Sequence, residues 1–85
     1  MIVYLVIADN VTFEEMEQLF PGNVYPLRNA NTYLIGSAMP TCADVNSAIG
    51  FGAHKGSGLV LKVGEYYGHY DQAVWQKMEA WRQQA

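Results

Sequence analysis

Few residues in this 85-residue chain have the type and spacing to do chemistry. Asp9 stands at the carboxyl end of an apolar N-terminal run. A carboxylate there can bind a divalent cation, or pair with its copy across a dimer axis to position one for phosphodiester cleavage. The competing reading is that Asp9 closes a strand and helps turn the chain, and it is favoured because no second acidic residue lies at metal-ligand spacing. Tyr66, Tyr67, His69 and Tyr70 cluster around Gly68, and aromatic rings on a turn can stack on a base or a ligand ring. Without basic neighbours, the expectation for them is packing on a sheet or at a subunit interface, with hydroxyls and imidazole reaching water.

Other candidates weaken against their spacing. Gly50, Gly52, Gly56 and Gly58 match neither glycine-rich nucleotide motif and lead into a strand, so this segment reads as a flexible or partner-contacting loop carrying His54 and Lys55. The lone Cys42 has no evident His-Asp relay and falls on the apolar side of its helix, where it reads as a small core residue.

Composition narrows the partners. Hydrophobic residues make up 51% of the chain against 15% charged, which argues for a packed core and a surface with few charges, and hence for a protein partner or a homodimer. The net charge is -3, and Arg28, Lys55, Lys62, Lys77 and Arg82 are scattered, so no basic stripe gathers phosphates and nucleic acid is not the expected partner. The apolar run from Ile2 to Ala8 is too short for a membrane span or signal peptide, and one cysteine forms no internal disulfide, so a soluble cytoplasmic protein is expected.

The elements that must position these residues are legible in order, and at this length they form one domain spanning 1–85. Met1 to Ala8 is apolar at every position and predicts a central strand buried on both faces. Thr12 and Glu15 form a capping box, and Val11 and Met16 a hydrophobic staple, opening a helix whose Phe13, Met16, Leu19 and Phe20 face the sheet until Pro21-Gly22 ends it. Val24 to Leu27 holds Pro26 and suits only an edge strand, and a turn at 28–31 joins it to a strand over Thr32 to Ser37. Thr41 and Asp44 cap a second helix that ends at Gly50, and Leu59 to Val63 supplies the other edge.

The result is an α+β chain, a ferredoxin-like βαββαβ single sheet with an extra C-terminal amphipathic helix, in which the first and third strands are central. Two helices of such a fold cover one face, yet the first strand is apolar on both. The second face therefore needs the C-terminal helix in cis, the same helix from another copy, or a face-to-face dimer. That helix begins after Asp71 and places Val74, Trp75, Met78 and Trp81 on one stripe.

The run Tyr4-Leu5-Val6-Ile7-Ala8-Asp9, the Thr-Tyr-Leu-Ile strand, and Gly-Leu-Val-Leu-Lys-Val before an aromatic turn and a Trp-containing helix resemble the small ferredoxin-like SinR group. That group is related in shape to VapD-like proteins and CRISPR adaptation nucleases. The resemblance implies dimers formed through sheets and C-terminal segments, and, for its nuclease members, a magnesium-binding acidic residue corresponding to Asp9. This chain carries Ala8 before that aspartate, where the group tends to have an aromatic residue.

These readings predict a non-enzymatic, homodimeric protein-interaction module of accessory, mobile-element or phage-related type, needing no cofactor. Its contacts are expected from Tyr66, Tyr67, His69, Tyr70, Trp75 and Trp81. The competing expectation is a Mg²⁺-dependent ribonuclease or nucleic-acid-binding protein using Asp9 and the tyrosine turn. A third is an acidic inhibitor of a nucleic-acid-binding enzyme.

Overall fold

The structure, a computed structural model, describes residues 1–66, 68 and 71–84. The strands are β1 (Ile2–Ala8), β2 (Val24–Pro26), β3 (Thr32–Ser37) and β4 (Gly58–Lys62). The helices are α1 (Phe13–Leu19), α2 (Cys42–Ile49) and α3 (Gln72–Gln83). The four strands make one antiparallel sheet in the order β2-β3-β1-β4, so β1 and β3 lie inside and the strand with Pro26 lies on an edge. Pro26 cannot donate to a ladder, and the edge position removes that demand.

Helix starts follow side-chain chemistry. The Thr12 hydroxyl accepts from the Glu15 amide at 3.2 Å while Glu15 Oε1 accepts from the Thr12 amide at 3.1 Å, which closes the capping box. Thr41 caps α2 by accepting from the Asp44 amide at 3.1 Å, and Gly50 closes that helix in the left-handed region at φ 102°. A Cβ at Gly50 would meet the His54 ring, so glycine is required there for space as well as for backbone angle.

The alternation along β1 divides the interior into two clusters. Tyr4, Val6 and Ala8 face α1 and α2, where they meet Met16, Phe20, Val45, Ile49 and Phe51. Val3 faces the other way and joins Leu34 of β3 and Val74, Met78 and Trp81 of α3. Of the three covers open for the second face, the chain supplies its own helix.

Three expectations are corrected. Phe13 and Leu19 are exposed; the buried line of α1 is Met16 and Phe20, continued by Val11. On a helical wheel Phe13 and Leu19 flank Met16 by about 60° on either side, and a seven-residue helix sinks only its central stripe. β1, expected to be buried on both faces, leaves Ile7 38% exposed, because α3 packs on the first half of the strand. The glycine-containing loop after α2 closes into a hydrogen-bonded turn. The Gly50 carbonyl accepts from the amides of Ala53, His54 and Lys55, the Gly52 amide donates to Gly56, and the Lys55 ammonium pairs with Glu15.

Candidate functional site

Residues singled out by type end in three places. Asp9 is exposed in the turn after β1, and its amide donates to the Ser57 carbonyl at 3.2 Å. Among the described residues no three His, Cys, Asp or Glu side chains come together.

Tyr66 and Trp75 form an aromatic pair over the second face, with centroids 5.1 Å apart and planes tilted by 58°. The Tyr66 hydroxyl donates to Glu79 Oε1, and the Arg82 guanidinium sits 5.5 Å from the Tyr66 ring. Burial raises the phenol's pKa above its ordinary value and the bond to Glu79 adds to the rise, against an opposing pull from Arg82. Tyr66, Trp75, Leu27, Leu34, Val74 and Met78 border an open apolar depression. Tyr67, His69 and Tyr70, expected in the same cluster, lie outside the described residues.

Trp81, expected to contribute contacts, is 1% exposed. Its indole packs on Gly36 of β3, its Nε1 donates to Asn23 Oδ1 at 3.2 Å, and the Lys77 ammonium lies 5.6 Å from its ring. Its contacts are thus made within the chain. Cys42 is half-buried against the first cluster.

The largest feature that sequence reasoning missed is the outer part of the second face. Ile7 is 38% exposed, Leu59 54% and Leu61 41%, and the register places Ile7 opposite Leu59 and the half-buried Leu5 opposite Leu61. Four aliphatic side chains therefore form two cross-strand pairs beside an open strand edge. The cause is dimensional. A helix is about 10 Å across and strands are spaced about 4.8 Å, so α3 spans about two strands, and it takes β3 and the first half of β1. Helix count held the signal: two helices for one face and one for the other leave β4 and the end of β1 uncovered.

Comparison of the chain with protein-family models, with curated proteins and with solved structures returned no match.

Proposed function

We propose that the chain is a small, non-enzymatic protein-interaction module that works as a homodimer, in keeping with an accessory protein of mobile-element or phage type acting in the cytoplasm. The observation that carries this reading is the exposed aliphatic group of Ile7, Leu59 and Leu61 beside the open edge of β4. An apolar patch of this kind at a sheet edge costs solubility unless a partner covers it. The ferredoxin-like description of the fold belongs to the same reading, supported by the β1-α1-β2-β3-α2-β4 order and the inner placement of β1 and β3.

The test is mass in solution across a concentration series, for the wild type and for Leu59→Lys with Leu61→Lys. Self-association that the double substitution removes while the thermal melt stays cooperative is the expected result. A monomer throughout the range overturns the homodimer. Magnesium-dependent cleavage of RNA or DNA that disappears in Asp9→Ala overturns the non-enzymatic reading.

A further inference from the structure

The open edge of β4 has a hydrogen-bonding phase that follows from its pairing with β1. The Val63 amide donates to the Val3 carbonyl at 2.9 Å, and the Asp9 amide donates to Ser57 at 3.2 Å. Hydrogen-bonded pairs alternate with non-bonded ones in an antiparallel ladder, so Leu59 and Leu61 also direct their backbone groups at β1. Gly58, Val60 and Lys62 consequently direct their amides and carbonyls away from the sheet, and Val60 lies midway between the other two.

This arrangement matches itself. Turned by two-fold rotation about Val60, the edge sets Val60 against Val60 of the second copy, and Gly58 against Lys62 in both directions. Every outward amide then meets an outward carbonyl. Leu59 of each copy falls opposite Leu61 of the other, in the closely spaced non-bonded positions, so the exposed aliphatic pairs of both copies join across the seam. Moving the axis to Gly58 or Lys62 would run part of the strand past the end of its counterpart.

Charge and space agree with this register. Lys62 is the strand's one charged residue, and the register places a glycine opposite it while the two lysines stand at opposite ends of the seam. Its ammonium donates to the Pro40 carbonyl at 2.6 Å, which keeps the charge off the leucine side. Beside β4, helix α2 presents the small side chains of Cys42, Ala43 and Ser47 around a depression next to Leu59 and Val60, leaving the edge accessible to an incoming strand.

We infer that β4 pairs antiparallel with β4 of a second copy about a two-fold axis at Val60, making one continuous sheet across both chains. This rests on the homodimer reading and specifies where its contact lies. The contact is one strand pair with its flanking aliphatics, so the association is expected to be weak and concentration-dependent.

Amide hydrogen exchange read residue by residue by NMR, at low and high protein concentration, tests the inference. The expected result is that the Gly58, Val60 and Lys62 amides gain protection with concentration while Leu59 and Leu61 are protected at both. Val60→Pro removes the central outward amide and should weaken self-association about tenfold or more. Leu59→Lys, at an exposed position, should weaken it as well and guards against a folding defect in the proline variant. A dimer whose Gly58, Val60 and Lys62 amides exchange at the monomer rate overturns the seam while leaving the homodimer standing. A chain that stays monomeric overturns both, and protection of these amides only on adding a different protein overturns the seam.

Discussion

The Trp81 indole rests on Gly36 so closely that a β-carbon at position 36 would lie 2.5 Å from its Cγ. A glycine in a central strand weakens the strand by itself, and here its missing side chain is the seat of the largest fully buried residue. Gly36→Ala should therefore lower stability by about 1–3 kcal/mol through overpacking, seen as a lower midpoint in chemical denaturation with an unchanged slope.

The two tryptophans of α3 should separate on truncation. Trp81→Ala empties a buried site and should cost about 3–5 kcal/mol, a large part of the stability of a small domain. Trp75→Ala removes a half-buried ring and its pairing with Tyr66, and about 1–2 kcal/mol is expected. Thermal melts of the two variants side by side give the ranking, and equal losses would contradict the burial difference.

The capping box of α1 gives a smaller, local effect. Thr12→Ala removes the acceptor of the Glu15 amide and should cost about 1 kcal/mol, with hydrogen-exchange protection lost first in α1.

Glu15 couples that cap to pH. The bond from Lys55, with a second from the Thr12 amide, holds its carboxyl below the ordinary value of 4.5. A depressed carboxylate contributes stability above the unfolded-state pKa and loses it as pH falls through the folded one. Relative to Glu15→Gln, the wild type should thus be more stable at neutral pH, with the difference shrinking as pH drops below about 4.5. Paired thermal melts between neutral and acid pH check the sign. The site is solvent-exposed, so the effect should also fade at high salt.

How far the sequence reads ahead of the structure depends on whether a signal is local. The central place of β1, Pro26 on an edge, the Thr12 and Glu15 cap and the Gly50 stop are set by residues within a few positions of one another and are found where expected, whereas the burial expected on both faces of β1 stops short of Ile7. The Lys55 to Glu15 pair and the fit of Gly36 under Trp81 join residues 40 and 45 positions apart, and nothing in the local pattern announces them. The leucine edge is intermediate. Alternation marks Leu59 and Leu61 as one face of a strand, but their exposure depends on which strands α3 reaches. Of the aromatic turn, Tyr66 packs against Trp75.

The inner position of β1 has a consequence for the order in which the chain is made. Synthesis runs from the amino end, so this strand, apolar on both sides, emerges before its neighbours β3 and β4. Until residues 32–37 arrive it has no ladder partner, and until residues 58–62 arrive one of its edges stays open. A nascent chain halted between those points presents an unpaired hydrophobic strand edge, the kind of surface that chaperones hold and that seeds aggregation. Completion of β4 ends that interval by moving the open edge from the middle strand to the last one.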